Sequence, residues 1–354
     1  MTVEHSIFYA RCPVPTASGI AFQRGMFDDA FVDSDTSVRN IRELGPAHAD
    51  AHFNHDLDNF IREGGCTPAI WARSNGMETR LLGVTFMREP LGVYVRSDDP
   101  VDSVAALAGR RVALPVWPRL IFNFWRVAAH KGLLSALDAH GMTASDVEFV
   151  DVVEDKDPHR RLNLGKTETE AADDSSEYGG QLQALLRGEV DAIFAKGAES
   201  AIVVRQSGSR IRLLYDVNQS DDISHQVNNS TPRLLTCSNR LLEKHPQAVD
   251  TYLSTIVAAA EWARSNSSEL RSFVARECGI SVEDIADFFP TGYENEFLPA
   301  LSQNLIDVTN TMKQFMLRHA YIESDFSIED WACPEPVLAA ISGHMTKPVP
   351  ERQE

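Results

Sequence analysis

Short apolar runs, broken by polar, proline or glycine stretches, alternate along the first two thirds of the chain. Residues 6–10 (SIFYA) predict a strand that stops at Cys12-Pro13-Val14-Pro15. Two prolines around one valine exclude helix there and hold the chain extended or turned. Thr16 or Ser18 then supplies a cap for a helix running towards Gly25. Residues 80–86 and 91–97 predict strands separated by Arg88-Glu89-Pro90. Asp102 or Ser103 opens a short helix closed by Gly109, and 111–114 reads as a buried strand. A helix near 120–136, a strand at 147–153, a helix at 181–186 and a strand at 191–195 continue the alternation. This βαβα order predicts an α/β protein with a mostly parallel sheet. Strand-like runs at 211–217 and 233–238 lead into a helical C-terminal part. There 246–265, 283–288 and 297–319 carry apolar residues at helical spacing.

At 354 residues the chain is long enough for two cores. Residues 154–180 are highly charged and almost free of large apolar side chains, which suits either a lid or a solvated surface loop. The formal charge of −18 argues against nucleic acid and anionic membrane surfaces as partners. It leaves room for a small anion held by a few local donors. No apolar run reaches the length of a membrane span, and the N-terminus lacks a secretory pattern, so the expected location is cytoplasmic. The five cysteines are odd in number and widely spaced, and no CxxC or HxxxH pattern occurs, so neither a disulfide framework nor a metal site is expected. Nucleotide-binding glycine patterns are also lacking, and no cofactor is expected.

Two places carry candidate chemistry. Cys12 falls after a strand and before a helix, where open α/β sheets bind ligands. A lone cysteine is more often a small buried apolar residue, and becomes reactive only beside a cation, an imidazole or a helix N-terminus. The stretch 50–66 (DAHFNHDLDNFIREGGC) offers such partners: His52, His55, Arg62, Gly64 and Gly65. A guanidinium binds an oxyanion through its fork of donors, and paired glycines let backbone N–H groups approach it. The same stretch also reads as a polar helix ended by a Gly-Gly cap. Trp71, Trp117, Phe122, Phe124 and Trp125 suit either a core or an aromatic pocket.

The passage from the 91–97 strand through SDDPVDSVAALAGRRVAL, with GEVDAIFA at 188–195, resembles the second lobe of periplasmic-binding-protein-like folds. The resemblance implies a two-lobed (type II) architecture with a ligand cleft between the lobes. Its first lobe would comprise 1–96 and 218–354, its second 97–217, with 154–180 as a possible lid.

CPVP at 12–15 and the HF-x8-R-x-GG pattern at 52–65 resemble motifs of the 2'-hydroxybiphenyl-2-sulfinate desulfinase family. The likeness extends through TRLLGVT, LAGRR, DVE, GEVDAIF, WARSNS and DWACPE, in order and over most of the chain. His55 and Cys66 stand where the family has a tyrosine and an acidic residue, which bears on the organic part of the substrate. The resemblance implies hydrolytic release of sulfite from an aromatic sulfinate, without cofactor or metal. Cys12 would act as nucleophile or proton donor, His52 and Arg62 would be catalytic, and Arg62, Gly64 and Gly65 would bind the sulfinate. The alternatives are a non-catalytic binder of small aromatic anions, and a hydrolase or decarboxylase acting on an aromatic carboxylate. The oligomeric state is not legible.

Overall fold

The computed structural model describes residues 6–12, 14–155 and 177–345. Most of the 154–180 segment therefore lies outside the described residues. The ten strands among them are β1 (Ser6–Arg11), β2 (Ser37–Asn40), β3 (Phe60–Gly65), β4 (Thr79–Thr85), β5 (Leu91–Arg96), β6 (Arg111–Val116), β7 (Glu148–Val153), β8 (Ile193–Lys196), β9 (Ile211–Asp216) and β10 (Arg233–Ser238). A five-stranded sheet has the order β2-β1-β3-β10-β4. A second group comprises the three-stranded sheet β8-β5-β9 and the pair β6-β7, joined by a parallel bridge between Val112 and Ala192.

The expectation of a mostly parallel sheet is corrected. β1 pairs in parallel with β2 and β3, and β6 with β7. β10, however, runs antiparallel to β3 and β4, and β5 runs antiparallel to β8 and β9. These two strands follow the points where the chain passes from one sheet to the other. A strand entering from the other sheet is not bound by the crossover rule that keeps βαβ neighbours parallel.

Both faces of the five-stranded sheet are covered, which explains why β1, β4 and β10 read as apolar runs. Leu82 and Leu235 join a core with the helices Ala17–Gln23 and Pro246–Ser265. Their neighbours Leu81 and Leu234 face the opposite way, against the helices Cys66–Ser74 and Gln303–Arg318. Burial of each such leucine contributes ~1.5–3 kcal/mol. The second group packs around the helix Phe124–Asp138 on one side and Gly179–Leu186 on the other.

The two crossing segments are tied together. Asn218 Nδ2 donates to the Glu89 carbonyl at 2.9 Å, and Thr231 Oγ1 donates to the Met87 carbonyl at 3.0 Å. We propose that the lobes divide at these segments, with 6–90 and 218–345 in the first and 91–217 in the second. This proposal differs from the expected division at 96 in placing β5, which hydrogen-bonds to β8 and β9, in the second lobe.

Candidate active site

β1 delivers Cys12 to the end of the first sheet, and Thr16 starts the helix Ala17–Gln23 by accepting the Gly19 N–H at 3.0 Å. A cap of this kind contributes ~1 kcal/mol. Glu63 on β3 fastens the same helix by accepting the Ser18 N–H at 2.7 Å. The parallel register pairs Ala10 with Arg62 and Arg11 with Glu63. Continued by one step, it sets Cys12 beside Gly64, where any Cβ would overlap the Cys12 sulfur. Gly64 is thus a glycine for space: it lets the sulfur lie against β3.

Side chains two apart on a strand share a face, so Arg62 rises beside Gly64. Its Nη1 donates to the Gly65 carbonyl at 2.8 Å and its Nη2 to the Cys12 sulfur at 3.3 Å. Its Nε has no hydrogen-bond partner among the described residues. His52 lies on the short helix Ala51–Asn54, with Nε2 3.5 Å from the same sulfur. Its ring meets Phe53 edge-on at 4.9 Å. The stretch read either as a cradle or as a polar helix is therefore one helical turn, a connecting loop and a fully buried strand. The Gly-Gly pair begins the next helix instead of ending one.

Cys12, His52 and Arg62 are 6%, 6% and 1% exposed, and all three line one cavity of about 910 Å³, open solvent at its mouth included. Gly65 lines it too, whereas Gly64 is packed behind the sulfur. Gly65 is held against the 228–232 segment: the Cys66 N–H donates to the Asn229 carbonyl at 2.5 Å and the Thr67 N–H to Asn229 Oδ1 at 3.1 Å. His55 ends the helical turn at φ 58° and is buried against Phe60. Neither ring nitrogen has a hydrogen-bond partner among the described residues, and burial together with the Arg62 charge holds its imidazole well below the usual range. It is not part of the cavity lining.

The opposite wall is aromatic and charged. Phe53 stacks on Phe124 at 5.6 Å, and Phe124 meets Trp125 at 4.9 Å. Of the five aromatics weighed from sequence, Phe124 and Trp125 line the cavity; Trp71 stacks on Phe122 in the core, and Trp117 is buried. Lys196, at the end of β8, donates to Glu89 at 2.8 Å and Ser230 at 2.7 Å, with its ammonium 5.9 Å from the Trp125 ring. Glu177 and Glu199 complete the polar lining on this side.

Sequence reasoning missed Glu89, Lys196, Asn229 and Ser230. Lys196 left a signal, a cation closing the apolar run DAIFA; Glu89 sat in what reads as an ordinary turn. Cys278 also lines the cavity, but burial pushes its thiol up, as it does those of Cys237 and Cys66, the last to about 12. Among the described residues no group of three or more His, Cys, Asp and Glu side chains is placed to hold a metal ion. No described helix is long and apolar enough to cross a membrane.

No family model matches the chain. It is 25% identical to proteins named 2'-hydroxybiphenyl-2-sulfinate desulfinase from Rhodococcus erythropolis and Rhodococcus qingshengii, over 97% of this chain and 95% of theirs. A crystal structure of a DszB mutant in complex with biphenyl-2-sulfinic acid superposes with a TM-score of 0.75 at 23% identity, covering 96% of this chain and 99% of that one. The periplasmic aliphatic sulphonate-binding protein SsuA from Escherichia coli superposes with a TM-score of 0.62 at 15% identity, covering 93% and 92%. A putative sulfonate-binding SsuA from Methylobacillus flagellatus gives 0.70 at 12% identity, covering 97% and 95%. This chain is thus similar, over nearly its full length, to proteins named 2'-hydroxybiphenyl-2-sulfinate desulfinase, and it has the two-lobed fold of periplasmic binding proteins.

Proposed function

We propose that this protein is a desulfinase that cleaves the carbon–sulfur bond of an aromatic sulfinate by hydrolysis, releasing the arene and sulfite. The observation that carries the reading is the Cys12 sulfur, within 3.5 Å of an imidazole and 3.3 Å of a guanidinium on a partly aromatic cavity wall. A core cysteine has no use for two polar partners of this kind, whereas a reactive one needs them. The names of the full-length relatives support the same chemistry.

In this reading Arg62 and the Gly65 backbone bind the sulfinate oxygens, and the aromatic wall takes the ring. Two routes balance. In one, the Cys12 thiolate attacks sulfur; the aryl carbon leaves with a proton, and water splits the resulting cysteine S-sulfinate into thiolate and bisulfite. In the other, the Cys12 thiol protonates the ring carbon bearing sulfur, sulfur dioxide departs, and water converts it to bisulfite. His52 orients the sulfur in both and exchanges its proton.

Incubation of the protein with benzenesulfinate and biphenyl-2-sulfinate, followed by sulfite determination, tests the assignment. Sulfite release that disappears in Cys12→Ser is expected. Tight binding without release would replace it with a non-catalytic anion binder. Release of carbon dioxide from the matching carboxylates, without sulfite from sulfinates, would replace it with a decarboxylase.

A further inference from the structure

The two glycines that end β3 make room for different partners. A Cβ on Gly64 would overlap the Cys12 sulfur, and a Cβ on Gly65 would meet the Asn229 carbonyl and Oδ1 at 2.8 Å. Sulfur and carboxamide thus press on neighbouring residues of one strand end, where the chain turns into the helix Cys66–Ser74. Cys12 and Asn229 line the same cavity, together with Arg62 and Gly65.

The orientation of the Asn229 carboxamide is fixed by what it accepts. The Thr67 N–H donates to Oδ1 at 3.1 Å, and the Thr67 hydroxyl donates to the same atom. A backbone N–H only donates, so the atom it meets is the oxygen of the amide. Nδ2 is therefore turned away from Thr67, and no acceptor among the described residues takes its two hydrogens. It stays open to the cavity that Asn229 lines. The turn that carries it is firmly closed. Asn228 and Thr231 exchange backbone hydrogen bonds at 2.7 and 3.1 Å. Asn228 Oδ1 accepts the Asn229 N–H at 2.8 Å, and Asn228 Nδ2 donates to the Ala128 carbonyl at 3.0 Å. A donor held in this way stabilises charge without having to reorganise.

The cations of the cavity leave a role for such a donor. Arg62 directs Nη1 to the Gly65 carbonyl and Nη2 to the Cys12 sulfur. Lys196 is engaged by Glu89 and Ser230. A sulfinate presents two oxygens, and a guanidinium turned partly inward does not serve both as a free fork would.

We propose that Asn229 is a substrate-binding residue: its Nδ2 donates to one sulfinate oxygen while Arg62 holds the other. The inference rests on the reading of the cavity as a sulfinate site. The segment between β9 and β10 then completes a cradle that β1 and β3 only begin.

The test is titration calorimetry of the full chain with benzenesulfinate and biphenyl-2-sulfinate, in a Cys12→Ser background that excludes turnover, beside thermal denaturation. Asn229→Asp keeps an oxygen for Thr67 and sets a carboxylate at the start of the helix Cys66–Ser74, where negative charge is favourable. Asn229→Leu removes the donor without adding charge. The proposal expects affinity to fall about 10²-fold in Asn229→Asp and about ten-fold in Asn229→Leu, with Tm kept in the former. A purely structural Asn229 predicts a loss in Asn229→Leu alone, and a general effect of charge predicts a loss in Asn229→Asp alone. Either result overturns the proposal, as does unchanged affinity in both. If one variant fails to fold, Thr67→Val decides: Thr67 does not line the cavity, yet freeing one anchor of the carboxamide should weaken binding about three-fold, and unchanged affinity overturns the proposal. Failure of both sulfinates to bind the Cys12→Ser protein overturns the proposal and the desulfinase reading together. Sulfite release by the unaltered protein is measured separately. Its absence, with both affinity losses seen, defeats the desulfinase reading alone; its presence, without them, defeats the role of Asn229 alone.

Discussion

Two polar clusters in this molecule share the outline of a nucleophile beside a histidine, and they differ in everything else. Ser220 Oγ is 2.7 Å from His225 Nδ1, and His225 Nε2 is 2.8 Å from Asp138. By hydrogen-bond length this is the better triad, since the Cys12–His52 distance is 3.5 Å. Yet Asp138 is 76% exposed, and Ser220 Oγ is occupied as acceptor for the Asp222 N–H at 3.2 Å. Ser220 is also absent from the lining of the groove that His225 and Asp138 border. The Cys12 cluster has longer contacts but a buried guanidinium, a cavity and an aromatic wall. What separates them is the surrounding dielectric and a place for the substrate, since electrostatic contacts strengthen where water is excluded.

The comparison breaks most sharply on exchange of the two nucleophile candidates. Cys12→Ser is expected to abolish sulfite release while keeping sulfinate affinity within a few-fold, whereas Ser220→Ala leaves turnover unchanged. Steady-state kinetics beside titration calorimetry read both; retained turnover in Cys12→Ser would remove the distinction. Next in size, Arg62→Lys should lower kcat/KM by about 10²-fold, since a point charge does not replace a fork bonded to both sulfur and backbone. Unchanged kinetics would place the sulfinate elsewhere. Gly64→Ala should displace the Cys12 sulfur, destabilise the fold by ~1–3 kcal/mol and reduce turnover, as seen by denaturant titration with the sulfite assay.

The smallest effect separates the two histidines of the 51–55 turn. Burial and Arg62 keep His55 uncharged in the folded state, so the unfolded chain takes up a proton that the folded chain refuses once pH falls below about 6.5. Its stabilising contribution is complete above that pH and is lost on acidification towards the folded value. His55→Phe should therefore flatten the fall in stability between about pH 7 and 5, by at most ~1.4 kcal/mol per pH unit, with little change in kcat. A slope identical to that of the unaltered protein would show that His55 is protonated in the fold.

Part of the fold was legible because strands such as β5 and β10 are buried and stand out as apolar runs between turn residues. Residues 91–97 and 233–238 announce strands in this way, and the structure places β5 and β10 there. Their direction was not legible: no local pattern tells that each enters a sheet from the other lobe. β3 was hidden for a different reason. Its sequence, FIREGG, carries an arginine, a glutamate and two glycines, so it lacks both the apolar run and the alternation that mark a strand. Those same departures make it the floor of the site. The residues missed on the far wall, Glu89 and Ser230 above all, come from crossing segments whose sequence resembles any polar turn.

By itself the sequence determined the chemistry on offer: a thiol after a strand, an imidazole and a guanidinium forty and fifty residues on, and glycines beside them. It also determined the family likeness that joins them. Only the tertiary structure decided that the parallel register of β1 and β3 brings Cys12 against Gly64, with Arg62 and His52 closing on one sulfur. The reason is that strand register and lobe crossing are set by the pairing of distant backbone segments. Residues such as Lys196 and Glu89 acquire their electrostatic meaning only once that pairing removes them from water.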